Sequence, residues 1–196
     1  MHTLRCVLAE WQVVRARLVH TRLGVWLVLL AFALVWSAQD EVFLVAVGVR
    51  TGLFAGVLCV AFAAGSDADR RALRTSLSHP TTPLALAAGR WLAATVAAAL
   101  PVVGVTLTLA IMRGVAPRAL LPAAAAGMAA AAAVAGCGLP VVLVGGNTFA
   151  GLLLVYLVVA GWLSTTGWHV SAPWLHVAAW PIGGVLVSGA ILAGRE

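Results

Sequence analysis

Lysine does not occur in this chain, and all 12 of its basic residues are arginine. A P-loop needs a lysine to reach the nucleotide phosphates. The chain therefore carries no Walker motif, is not expected to be an enzyme, and leaves any ATP hydrolysis to another polypeptide. Charge of either sign is scarce, at 9% of 196 residues. An ordinary soluble domain carries about 25%, and so few charges cannot clothe a globule in polar surface. The six acidic residues are Glu10, Asp40, Glu41, Asp67, Asp69 and Glu196, and none lies inside a long apolar run. That argues against a proton-coupled carrier, which needs an intramembrane acid as relay. No Ser/His/Asp or paired-carboxylate arrangement for acid–base chemistry stands out. The three cysteines, Cys6, Cys59 and Cys137, lack metal-ligand spacing and read as small reduced fillers. His169 and His176 flank Trp174 without a third ligand nearby, and they read as interfacial histidines. His79 reads as a surface residue. No cofactor and no metal are expected.

What the chain has in abundance is apolar sequence, 63% of its residues. A bilayer core of about 30 Å takes about 20 helical residues to cross. Six segments approach that length: 22–38, 42–65, 84–112, 119–144, 149–165 and 177–194. The expected fold is all-α, a polytopic membrane protein with six transmembrane helices. The first apolar run is read as a retained span. Residues 1–21 precede it, and Trp36 stands where a signal-peptidase site wants a small residue.

Arginine placement sets the expected orientation, since cytoplasmic loops gather basic residues. With the N-terminus inside, Arg5, Arg15, Arg17, Arg22, Arg70, Arg71, Arg74, Arg90 and Arg195 fall at the cytoplasmic side. Arg113 and Arg118 fall outside, and Arg50 lies within a span. The expected location is the plasma (inner) membrane, with both termini cytoplasmic. This distribution follows loops rather than one basic face, so the net charge of +6 does not point to nucleic acid. Tryptophans cluster near the expected span ends, as Trp does at membrane interfaces. Residues 1–21 form a separate unit. Leu4, Val7, Leu8, Trp11, Val14 and Leu18 recur at helical spacing, with Arg5, Glu10, Gln12 and Arg17 on the other side. This predicts an amphipathic interfacial helix with arginines available to anionic membrane lipid. The run "AAAAGMAAAAAVAG" in the fourth span predicts close helix packing, within one subunit or at a dimer face.

One stretch breaks the apolar pattern: "SDADRRALRTSLSHPTTPLALAAGRWLA", Ser66 to Ala93. Ser66 and Asp69 form a capping box. Leu73 and Leu77 lie one turn apart, and Arg70, Arg71 and Arg74 line the rest. Pro80 stops the helix, Thr82 can cap the next one, and Pro83 suits its first position. The spacing predicts a short cytoplasmic helix over 66–79, set between two spans.

This stretch resembles the segment after the second span of type-2 ABC-transporter permeases. Asp69, Arg70, Leu73, Leu77, Pro80, Gly89, Arg90 and Leu92 stand at the matching places. "PWLHVAAWP", Pro173 to Pro181, is similar to the family's outer Pro-x-Trp-Leu segment. The order of parts agrees over nearly the whole chain. Arg71-Ala72 stands where the family has Gly-Thr, and Arg74 where Glu is common, which alters the surface a partner would meet. The resemblance implies the membrane subunit of an ATP-driven exporter. Its partners would be a separate ABC ATPase subunit and a second permease, identical or a sister chain. ATPase coupling would fall to Asp67, Asp69, Arg70, Arg71, Leu73, Arg74 and Leu77. A haem-exporter-type permease of cytochrome c maturation shares this layout. The reading from another class is a non-transporting membrane scaffold or immunity protein.

Arg50, in "VGVRTGLFAG", is the most costly residue in the sequence. An arginine at mid-bilayer costs about 2.5–3.5 kcal/mol on insertion scales. It either snorkels toward Asp40 or Glu41, meets an anionic substrate group on a path between subunits, or makes a structural contact with another subunit.

Overall fold

A computed structural model of the chain describes residues 43–65, 82–114, 116–145 and 173–194, together with Leu8, Trp11, Gln12, Arg15, Ala16, Gly24, Val25, Leu153 and Leu157. Four long helices account for nearly all of these residues: α1 (Phe43–Gly65), α2 (Pro83–Arg113), α3 (Pro117–Gly145) and α4 (Pro173–Ala193). There is no strand among the described residues. The four helices fall on the second, third, fourth and sixth of the expected spans. The first and fifth lie outside the described residues, apart from the helical residues Gly24, Val25, Leu153 and Leu157. Three stretches are long and apolar enough to cross a membrane: Leu44–Ala64, Pro83–Met112 and Arg118–Gly145. In α4 the apolar stretch Ala179–Ala193 is shorter.

Local chemistry sets the ends. Thr82 caps α2 from an extended conformation, and its hydroxyl accepts the Ala85 N–H at 3.3 Å. Pro83 follows at the start of α2, where its missing N–H removes no helical bond. Gly114 closes α2 in the left-handed region at φ 62°, donating its N–H to the Ala110 carbonyl. Helix α4 begins at Pro173, four residues before the apolar run suggested, with Pro181 inside it. Proline is again placed where a helix can start. Pro101, Pro122 and Pro140 also lie inside helices. Each deletes one backbone bond, a loss that membrane helices tolerate when neighbours satisfy the freed carbonyl.

Helices α2 and α3 each touch all three of the others, whereas α1 and α4 make little or no contact with each other. The most extensive contact is between α1 and α3. It is a backbone seam. Gly48, Gly52 and Gly56 recur every fourth residue along α1 and lie against Ala123, Gly127 and Ala131 of α3. The matching order shows that the two helices run parallel. A methyl built on Gly52 would stand 2.8 Å from the Gly127 carbonyl carbon and closer still to its oxygen. Only glycine permits that approach. A second backbone contact joins α3 to α4 where Gly184 meets the Gly136 carbonyl, beside Trp180 and Pro181. Pro140 has no N–H to offer that carbonyl as its in-helix partner. The glycine–carbonyl approach thus falls at a carbonyl freed from its own helix. Across the bundle, Gly189 rests on Leu84, which places the end of α4 beside the start of α2.

Two clusters fill the interior. The larger holds Val57, Val60, Leu86, Leu139, Leu143 and Leu192, with many alanines. The smaller joins Leu44, Val47, Val105, Leu109, Ala110 and Ala123 at the other end. Side-chain size is distributed in reverse of a water-soluble bundle. The interior is rich in alanine, among them Ala55, Ala63, Ala64, Ala87, Ala94 and Ala98. The outside of α2 carries Val96, Leu100, Val103, Leu107 and Ile111, with Leu100 75% and Ile111 73% exposed. In water such a stripe would be an aggregation surface. In lipid it costs nothing, and small residues inside let the helices close on one another.

Candidate functional site

The residues expected to couple to an ATPase, Asp67, Asp69, Arg70, Arg71, Leu73, Arg74 and Leu77, lie outside the described residues. Their two anchors are described. The segment leaves α1 at Gly65 and rejoins the chain at the Thr82 cap of α2. Helices α1 and α2 pack on each other, and α2 also packs on α3 and α4. The first turn of α2 is held from several sides. Thr82 bonds back to Ala85 and, through its carbonyl, accepts the Leu86 N–H at 3.0 Å. Leu84 lies under Gly189, and Ala85, Leu86 and Ala87 are buried. The start of α2, which segment 66–81 joins, is thus capped and packed.

Arg50 lies on α1, seven residues past its start, or about 10 Å along the axis at the helical rise. Its side chain is exposed, as is Phe54 one turn on. Both lie on the side of α1 opposite Gly48, Gly52 and Gly56, so Arg50 points away from the α1–α3 seam. Thr51 beside it turns inward, fully buried, and donates its hydroxyl to the Val47 carbonyl at 2.7 Å. Of the three readings of Arg50, each needs an outward-facing side chain.

Arg90 stands out in the structure more than in the sequence. Counting charges puts it at the cytoplasmic boundary. In the bundle it is 1% exposed, the largest fully buried side chain among the described residues. It lies two turns into α2, with Leu86, Ala87, Ala93 and Ala94 buried around it on the same helix. The usable signal is its place within α2, seven residues past Pro83 and inside an otherwise apolar run. The next residue, Trp91, donates its indole N–H to the Ala132 carbonyl of α3 at 3.0 Å. Thr95 bonds back to the Trp91 carbonyl at 2.9 Å. The only other buried polar side chains among the described residues are Thr51, Thr106 and Ser188. Thr106 bonds within its helix, to the Val102 carbonyl at 2.8 Å. The Ser188 hydroxyl has no hydrogen-bond partner.

Among the described residues no group of His, Cys, Asp and Glu is placed to hold a metal ion. Cys59 and Cys137 are free thiols, the first buried and the second bonded to the Val134 carbonyl at 3.4 Å. The described side chains thus offer packing, one buried cation at Arg90, exposed cations at Arg15, Arg50 and Arg118, and no nucleophile paired with a base.

These features define a class: a helical, membrane-embedded protein, with an interior of small residues and an exterior of large apolar ones. No known protein family, curated protein or solved structure matches the chain.

Proposed function

We propose that this chain is the membrane-spanning subunit of an ATP-driven exporter, working with a second permease and a separate pair of ATPase subunits. The observation that carries the reading is the charged segment 66–79, which resembles an ABC coupling helix in the residues Asp69, Arg70, Leu73, Leu77 and Pro80. It joins α1 to the capped start of α2. On this reading, closure of the ATPase pair pushes segment 66–79. Helices α1 and α3 move together because their backbones are in contact, and a path between the two permeases opens outward. Arg50, on the outer side of α1, would face that path and receive an anionic group of the substrate. The chain itself does no covalent chemistry.

The test is biochemical. The chain is co-expressed with a candidate ABC ATPase, and ATP turnover of the purified complex is measured. Turnover that rises with the permease, and falls to the level of the free ATPase when Arg70, Arg71 and Arg74 are replaced by Glu, supports the exporter. An ATPase-free complex with another membrane protein supports the scaffold instead. Transport by an Arg50→Ala variant that inserts normally decides the role of Arg50, and undiminished transport removes it from the path.

A further inference from the structure

The N-terminal segment offers a surface independent of the transport reading. Leu8, Trp11, Gln12, Arg15 and Ala16 are helical. Trp11 is half-buried and packs against the larger interior cluster, so this helix is seated on the bundle. One turn further, the Arg15 guanidinium lies over the Trp11 ring, its carbon 5.7 Å from the ring centroid. Arg15 is itself exposed, and so are Leu8 and Gln12.

A guanidinium over an aromatic ring is attracted by the ring's quadrupole, and because Arg15 is exposed its N–H donors remain accessible to a further partner. Those donors form a fork that matches the oxygens of a phosphate. The Trp11 ring gives Arg15 a cation–π neighbour that an isolated surface arginine lacks. Exposed Leu8 lies one turn before Trp11 and two turns before Arg15. An exposed guanidinium over a tryptophan, with an apolar side chain earlier on the same helix, matches an anionic phospholipid. The phosphate meets Arg15, and the upper acyl chain meets Leu8 and the Trp11 ring. We infer that Trp11 and Arg15 form a binding site for an anionic phospholipid headgroup, holding the N-terminal helix to both the bundle and the membrane surface.

The experiment uses the full chain purified in a neutral detergent. Phosphatidylglycerol, phosphatidylcholine and inorganic phosphate are titrated separately, and binding is read from the thermal unfolding midpoint and by native mass spectrometry. The wild-type chain is expected to bind phosphatidylglycerol in preference to phosphatidylcholine, with inorganic phosphate not competing. Arg15→Gln is expected to weaken phosphatidylglycerol binding about fivefold, the worth of one basic residue at an anionic surface. Trp11→Leu is expected to do the same by removing the ring under Arg15. Arg118→Gln removes an exposed arginine from the start of α3 and is expected to change nothing. Four results overturn the inference. They are equal binding of the two lipids, full binding by Arg15→Gln, a loss in Arg118→Gln as large as in Arg15→Gln, and displacement of the lipid by inorganic phosphate.

Discussion

Replacing Gly52 by alanine adds one methyl at the tightest part of the α1–α3 seam. The new carbon would stand 2.8 Å from the Gly127 carbonyl carbon and 3.1 Å from its Cα. Ordinary carbon–carbon contact is about 3.5–4.0 Å. Both obstacles are backbone, so no side chain can swing aside, and the helices must part by roughly 1 Å. A gap of that size forfeits about a quarter to a half of each facing pair's dispersion energy, itself about 0.1–0.2 kcal/mol. Over a seam that includes Gly48, Gly56, Ala123 and Ala131, the loss reaches about 1–3 kcal/mol, the usual range for an overfilled core. Against this stands the helix preference of alanine over glycine, at most about 1 kcal/mol. Gly104 supplies the control, since it lies in α2 with nothing within 4 Å of an added Cβ. The assay is reversible unfolding in mixed micelles with rising denaturing detergent. Gly52→Ala is expected to unfold at a lower detergent fraction, by about 1–2 kcal/mol net, and Gly104→Ala at the same or a higher one. Equal stability of Gly52→Ala and the wild type would refute the seam, as would an equal loss in the two variants.

The same assay checks three further expectations. Gly184→Ala drives a methyl into the Gly136 carbonyl and should cost about 1–3 kcal/mol, with loss of α3–α4 cross-linking between cysteines placed beside the contact. Trp91→Phe keeps an aromatic, though smaller, ring and removes the bond to the Ala132 carbonyl; interhelical hydrogen bonds in membranes average about 0.6 kcal/mol, so a small measurable loss is expected. Thr82→Ala removes the cap on Ala85. It should destabilise the start of α2 by about 1 kcal/mol, seen as faster hydrogen exchange at Ala85 and Leu86 with the rest of α2 unchanged.

Much of the fold was legible because bilayer thickness constrains length so strongly. The apolar runs 42–65, 84–112 and 119–144 agree with α1, α2 and α3 to within two residues at each end. The Thr82–Pro83 start of α2 was legible for a different reason, since cap chemistry is local and needs no tertiary contact. Tertiary pairing was less accessible. The period-four glycines Gly48, Gly52 and Gly56 are visible in the sequence as a close-packing signal. Their partners are not, because α3 offers alanine at almost every position from Ala123 to Ala135 and periodicity cannot select a face from a uniform run. Of the two settings that "AAAAGMAAAAAVAG" allowed, the structure shows packing inside one chain, on α1 through Gly127 and on α4 through Gly136. The burial of Arg90 was not legible in a charge count. Basic residues report topology when they stand in loops, and this one lies two turns inside α2. Segment 66–79 and its seven coupling residues rest on the sequence alone.

The parallel course of α1 and α3 has a consequence for biosynthesis. Neighbours that run in the same direction cannot be consecutive spans, so all of α2 must be threaded between them first. While the ribosome is still making α3, the groove of Gly48, Gly52 and Gly56 stands open in the bilayer with its intended mate not yet made. Any passing helix with a narrow face can occupy it during that interval. The nascent chain is thus most open to mispairing between emergence of Gly56 and emergence of Ala131, and an insertion chaperone would have most to shield at that stage.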